Sequence, residues 1–263
     1  MLGGVNIDVR PLIGPTEAEA ATRLLAEVWG TPYESSPIPG DVVRSISAWG
    51  GCLLGAFDGE DLIGVVVGIA AAPHSDTLAS LITGVAPRAA GAGVGRLLKS
   101  AQREWAAERG VAGIEWTYDP LVRRNAHFNL DLLGADVVKY EVEHYPPIPD
   151  GINAGDPTDR LLVRVDVRSA APRDPADDLA ARLGAVVVLD EGDDGRPRLH
   201  DRPEDAAWLV GTPSDVETLR REDRDASLAW RQAAREVFRA GADRVVAGFT
   251  RSGAYLLTKG PTS

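Results

Sequence analysis

Apolar and polar residues follow two periods along this chain, and the places where one gives way to the other outline its elements. Asn6–Leu12 (NIDVRPL) alternates as a strand does. Glu17–Gly30 (EAEAATRLLAEVWG) has helical spacing, and Thr16 with Glu19 three residues on matches a capping box. A second short helix is expected near Pro39–Gly50. Cys52–Ala72 holds two β-branched apolar runs joined at Asp58-Gly59, the strongest short-range hairpin signal in the chain. Thr77–Val85 reads as a further strand, Gly95–Gly110 as a helix ended by glycine, and Val111–Asp119 as the next strand. Strand, helix, strand implies a parallel crossover. Arg123–Gly134 is expected as helix, with Ala135–Tyr145 and Asp159–Val167 as strands.

Ser169–Asp178 (SAAPRDPADD) has the proline, alanine and acid content of a linker. It sets a boundary between a domain of residues 1–168 and a smaller α+β lobe of residues 179–263. The lobe's expected strands are Gly184–Asp190, Ala206–Gly211, Asp243–Phe249 and Ala254–Lys259, with one helix from about Ser214 to Ala240. The charged run Arg220–Asp225 (RREDRD) reads as a solvated helix face laced with salt bridges.

Composition acts mainly by exclusion. Hydrophobic residues make up 44% and charged residues 25%, an ordinary globular balance. The net charge of -11 would repel a phosphate backbone, so no nucleic-acid partner is expected. The one cysteine, Cys52, rules out an intrachain disulfide and makes a reducing, cytoplasmic setting the natural expectation. The longest apolar run, Leu62–Pro73, has 12 residues, short of the roughly 20 a bilayer crossing needs. Met1–Pro11 has neither the basic nor the apolar region of a leader. His74, His127, His144 and His200 lack ligand spacing, so no metal is expected.

The candidate chemistry lies in Thr83–Gly110, where Gly91, Gly93 and Gly95 alternate just before the helix. A helix N-terminus carries unpaired amides and partial positive charge, and glycine lets those amides approach a phosphate. A P-loop fails on spacing, because Lys99 does not follow a glycine. A dinucleotide fingerprint has Glu115 at a suitable distance, but the glycines run G-x-G-x-G and an antiparallel hairpin precedes the unit. A turn with no ligand needs fewer glycines than three.

Val85-Ala86-Pro87 followed by Gly91-Ala92-Gly93-Val94-Gly95-Arg96 resembles motif A of the GNAT acyltransferase superfamily. The element order from about Ile7 to Val167 is similar to that family's as well. The resemblance implies an α/β fold (α+β, with a mixed sheet) carrying a second, smaller α+β lobe. It also implies an acyl-CoA-dependent N-acyltransferase that uses acetyl-CoA or succinyl-CoA and no metal, and that acts on a small-molecule amine. The amides of Gly91, Gly93, Val94 and Gly95 would hold the coenzyme's diphosphate. Ala90 falls where the family has Gln or Arg, which leaves Arg88 and Arg96 either to supply charge or to serve as ordinary solvated residues.

By the same resemblance, the strands holding Ser80–Val85 and Gly113–Tyr118 splay to admit the pantetheine arm, and the acyl carbonyl meets an amide near Val85. Glu115 or Asp119 is the candidate base. The family's tyrosine acid is replaced by Leu130, with Tyr118, Tyr140 and Tyr145 as substitutes. Asn125 and Asn129, four apart on a helix, either bind the coenzyme or form a polar face. Asp150–Leu161 (DGINAGDPTDRL) is either an ordered loop or an acceptor-binding lid, with Asp150, Asn153 and Arg160 as candidate substrate residues. WTYDPL, RNAHFN, LLGA and this loop resemble a GNAT branch with a C-terminal extension, some of whose members are linked to N-succinyl amino acids. An amino acid acceptor follows from that resemblance. The second lobe would complete the acceptor pocket or form a homodimer contact. The rival reading is a non-catalytic acyl-CoA sensor.

Overall fold

The computed structural model describes residues 7–72, 75–168 and 174–260. The expected lack of a leader at the N-terminus, His74, and the first half of the linker (residues 169–173) fall outside them.

Two compact units result. Among the described residues, the first contains those within 7–116, 150–152 and 166–168, and the second those within 117–149, 153–165 and 174–260. The second unit therefore begins at residue 117 and takes in much of what the sequence assigns to the first domain.

In the first unit, strand β1 (Ile7–Pro11) leads into helix α1 (Gly14–Trp29) and helix α2 (Gly40–Ala48). Strands β2 (Cys52–Asp58), β3 (Asp61–Ala70) and β4 (Thr77–Val85) follow, then helix α3 (Val94–Glu108) and strand β5 (Gly113–Tyr118). The strands lie in the order β1-β2-β3-β4-β5, antiparallel up to β4. β4 and β5 are parallel, the crossover expected from strand, helix, strand.

Helices cover both faces of this sheet, which is why β2 and β3 read as nearly unbroken apolar runs. Leu25 and Val43 pack with Leu53, Val65 and Val67 on one face. Val94, Leu98 and Ala106 pack with Cys52, Leu54, Val66 and Ile114 on the other. The second contact is close. A Cβ on Gly64 would stand 2.8 Å from Val94 Cγ1 and 2.9 Å from Leu98 Cδ1, so glycine there brings α3 down onto the sheet.

The start of α1 departs from expectation. Ile13 is the N-cap, Pro15 sits in the first turn, and Thr16 is already inside the helix. Glu17, rather than Glu19, reaches back, its Oε2 accepting from the Ile13 amide at 2.6 Å. The proline, with its φ preset for a first turn, moves the helix start upstream. Glu19 instead pairs with Arg23 one turn on, at 2.6 Å.

In the second unit, a short helix α4 (Arg123–Ala126) runs directly into a π-helical turn, His127–Leu132. Strands β6 (Asp136–Glu141) and β7 (Arg160–Asp166) pair antiparallel. Helix α5 (Ala176–Leu183) follows, with the expected linker acids Asp177 and Asp178 in its first turn, where the helix dipole favours them. A five-stranded sheet is built from β8 (Val186–Glu191), β9 (Pro197–Leu199), β10 (Trp208–Gly211), β11 (Arg244–Phe249) and β12 (Ala254–Lys259), in the order β11-β12-β10-β8-β9. β9, with only three residues, is too short to show a period.

The single helix expected from Ser214 to Ala240 is two: α6 (Val216–Glu222) and α7 (Arg224–Ala240). Asp223 separates them and caps the second, accepting from the Ala226 amide at 2.9 Å. An aspartate satisfies orphan amides at a helix start better than it serves a helix interior.

Candidate functional site

After β4 the chain makes a 3₁₀ turn at Pro87–Ala89 and enters the glycine run. Gly91 and Gly93 have φ of +78° and +81°, and Gly93 is the N-cap of α3. A Cβ at either would meet nothing within 4 Å, so these glycines serve backbone conformation and leave open space beside the loop. The amides of Ala89, Ala90, Ala92, Arg96 and Leu97 are spent on nearby carbonyls. Those of Gly91, Gly93, Val94 and Gly95 make no hydrogen bond among the described residues. Val94 also anchors the turn, its side chain being buried against the sheet. Arg88 is engaged elsewhere, donating to the Leu62 carbonyl at 3.1 Å and lying 3.8 Å from Glu27. Arg96 is exposed, and among the described residues it has no ion-pair partner. Ala90 is extended, at φ −61° and ψ 139°.

Pairing between β4 and β5 covers Thr77↔Gly113 through Ala79↔Glu115 and stops there. Beyond Ala79, β4 runs on to Val85 paired, among the described residues, with β3 alone. The Ala86 amide donates to Ile63 of β3 at 2.9 Å, so strand alternation turns the Val85 amide to the bare edge. Glu115 is half-buried at the last paired position. Its neighbour Trp116 packs against the α3 face, so alternation gives Glu115 the opposite face.

Where the two strands part lies a residue that sequence reasoning missed. Lys99, buried on α3, donates to Ser80 Oγ at 2.7 Å and Gln102 Oε1 at 3.2 Å, and lies 4.1 Å from the Trp116 ring centroid. No carboxylate pairs it among the described residues. Burial pushes its pKa down to about 7. The available signal was register: Lys99, Gln102 and Ala106 recur at helical spacing beside Leu98, on the face that packs inward.

The second unit gathers other candidates into a buried ionic cluster. Asp119 Oδ1 accepts from the Leu121 amide at 2.9 Å and from Arg231 at 3.0 Å. Its Oδ2 accepts from Arg231 at 2.8 Å and from Arg220, with Arg160 at 3.8 Å. Burial alone would raise the Asp119 pKa, but the charges of Arg231 and Arg220 and the Arg231 hydrogen bonds outweigh it and hold the group far below the usual carboxylate range. Such a carboxylate has almost no proton affinity near neutral pH, so Asp119 is unsuited to the base role expected of it. Arg160, expected to face a substrate carboxylate, is itself buried and donates to Asn153 Oδ1 and the Asp159 carbonyl, both at 2.9 Å.

The run expected to be solvated thus supplies a core residue: Arg220 binds Asp119 and, at 3.1 Å, Asp156. Nothing in RREDRD distinguishes that arginine from its neighbours. Tyr118 is buried, and burial pushes its pKa up. Asn129 is buried and Asn125 half-buried, and the π turn between them breaks the regular spacing that would put both on one face. In the first unit, Asp150 Oδ1 accepts from the Ile152 amide at 2.9 Å, an Asx-type bond that orders the loop start.

No family model matches the sequence, and no curated protein does. Solved structures do match. The ribosomal-protein-S18-alanine N-acetyltransferase of Escherichia coli aligns with a TM-score of 0.50 at 14% identity, over 63% of this chain and 96% of its own. A putative acetyltransferase from Salmonella typhimurium, solved with its cofactor acetyl-CoA, aligns with a TM-score of 0.50 at 16% identity, over 64% of this chain and 98% of its own. A GNAT-family acetyltransferase from Streptococcus pneumoniae gives 0.50 at 16%, over 61% and 99%. The chain has the fold of the GNAT acetyltransferases.

Proposed function

We propose that this protein is an acyl-CoA-dependent N-acyltransferase that moves an acetyl or succinyl group to the amine of a small molecule. The observation that carries this reading is the α3 N-terminus. Among the described residues the amides of Gly91, Gly93, Val94 and Gly95 make no hydrogen bond, open space lies beside Gly91 and Gly93, and the loop follows a strand that beyond Ala79 pairs with β3 alone, within a GNAT fold. Free amides and the helix dipole suit a diphosphate, and Arg96 adds a cation one turn along. The bare β4 edge would receive the amide-bearing arm of the thioester as an added strand, with the Val85 amide donating to the acyl carbonyl as negative charge builds on its oxygen.

Attack by an amine requires loss of its proton, which Glu115 would accept directly or through a water. The departing thiolate needs no dedicated acid. Thiols are far more acidic than amines or alcohols, the cysteine thiol lying near 8.5, so thiolate leaves readily and takes its proton from solvent. Asp119, held by its arginines, is not given the base role.

Calorimetry with acetyl-CoA and succinyl-CoA, followed by thiol release across an amine panel, tests the proposal. Binding with release is the expected outcome, and absence of heat with either thioester would overturn it. A second reading, an acyl-CoA-binding protein without turnover, is favoured by the loss of Asp119 to the ionic cluster and by the burial of Tyr118. It predicts binding with no thiol released by any amine.

A further inference from the structure

The second unit holds an open cleft of about 480 Å³, within the range small-molecule sites occupy. Three features of its lining belong together.

One is backbone strain. Among the described residues, Glu143 and Ala154 are the non-glycine residues with positive φ, at +50° and +49°. Glu143 lines the cleft, and Ala154 adjoins Gly155, which also lines it. Side chains in this region of backbone space cost stability and persist only where their surroundings hold them, most often at ligand sites. Here the Glu143 amide is held by Asp159 Oδ1 at 3.1 Å, and Arg235 spans Asp159 and Glu143.

Charge is another. Arg224 lines the cleft, is exposed, and has no carboxylate partner among the described residues. Its contacts are long ones to the carbonyls of Ala154 and Gly155, at 3.5 and 3.4 Å. Glu143 is 65% exposed, with Arg235 at 3.1 Å as its ion-pair partner. Asp156 also lines the cleft. Its Oδ2 is bound by Arg220 and Ser227, while its Oδ1 is buried with no hydrogen-bond partner.

The remaining feature is an apolar wall of Tyr145, Pro157 and Leu228. The Tyr145 amide donates to Thr158 Oγ1 at 3.0 Å, and its hydroxyl shares a hydrogen bond with Thr117 at 3.2 Å. These two bonds fix the orientation of the Tyr145 ring before a ligand arrives.

A cation with no carboxylate partner among the described residues and an accessible carboxylate, in one small cleft with an apolar wall, match a molecule bearing both charges and an apolar body. We infer that this cleft binds a free α-amino acid with an apolar side chain, its carboxylate on Arg224, its ammonium on Glu143, and its side chain against Tyr145, Pro157 and Leu228. Only the further step of calling that amino acid the acyl acceptor rests on the acyltransferase reading.

The test is calorimetry on the full chain without any CoA, using L-leucine, leucine methyl ester and N-acetyl-leucine. L-leucine is expected to bind, and each analogue, lacking one charge, to bind about tenfold or more weakly. Arg224→Ala should weaken L-leucine by a similar factor while leaving the ester unchanged. Glu143→Gln should weaken L-leucine and leave N-acetyl-leucine unchanged, with thermal melts confirming that both variants fold. Equal affinity for the ester and the free acid would overturn the inference. So would silence from leucine, isoleucine, methionine and phenylalanine alike, or variants indistinguishable from the parent. Heat with CoA thioesters is read on the same preparation. Its survival alongside amino acid silence removes only this cleft, and its loss alongside amino acid binding removes only the acyltransferase reading.

Discussion

Each unit buries cationic side chains, and the two do so in opposite ways. In the second unit, Arg160, Arg220 and Arg231 converge on Asp119, and Arg220 also binds Asp156, so each buried charge has an opposite neighbour. In the first unit, Lys99 is buried against a hydroxyl, an amide and an indole ring, with no carboxylate paired to it among the described residues. The choice of side chain matches. Guanidinium stays charged and fits a carboxylate with paired hydrogen bonds, whereas ammonium can give up its proton when buried. Paired burial gives each charge a fixed opposite partner. Unpaired burial leaves a group able to change charge near neutral pH.

The largest effect should come from breaking the paired cluster. Asp119→Asn leaves guanidinium charge buried without its main counterion, and breaking a buried pair in this way costs about 3–5 kcal/mol. A urea melt should record that loss at neutral pH, and a change under 1 kcal/mol would mean that the cluster is more solvated than its burial indicates.

Next comes the unpaired charge. Folding lowers the Lys99 pKa from 10.5 to about 7, so between those values the unfolded chain binds more protons and stability rises with pH. Below about pH 7 both states are protonated and the full penalty of burying the charge is present. Lys99→Met should therefore stabilise the fold by a few kcal/mol, on the order of 3–5, near pH 6, and progressively less toward pH 10. Melts of both proteins across that range should converge at the alkaline end. Parallel curves would show that Lys99 keeps its proton throughout.

The smallest of the three is at the glycine loop. Gly93→Ala forces an L-residue to φ +81°, which costs about 1–2 kcal/mol. Because no neighbour stands where the new Cβ would go, the cost is conformational and not steric. A melt should show this modest loss together with weakened acyl-CoA binding. A tightly packed variant with unchanged affinity would separate the loop from the coenzyme.

The sequence was most legible where local signals and burial agree. The Asp58-Gly59 hairpin and the β4–α3–β5 crossover stand where apolar period and turn residues placed them, because each is a short-range decision reinforced by its own core. It was least legible where long-range contact overruled local character. Arg220 looked like surface and is core; Thr16 looked like a cap and is inside its helix; Asp119 looked like a base and is a hub. The alternating glycine run before a helix was legible from spacing, and Gly91 and Gly93 do take positive φ there. Lys99 was passed over because a lysine four residues beyond the last glycine fails a known motif, although its register with Gln102 and Ala106 marked it as inward-facing.

What the residues settled unaided was periodicity, turn chemistry, the glycine-rich helix start and, through these, the order of elements in a GNAT fold, all consequences of interactions between near neighbours. Which charges would be paired, which left alone, and which residues from 119 to 231 would meet in one cluster could only be decided by packing. An arginine's local environment is the same whether or not its carboxylate, 100 positions away, is brought beside it.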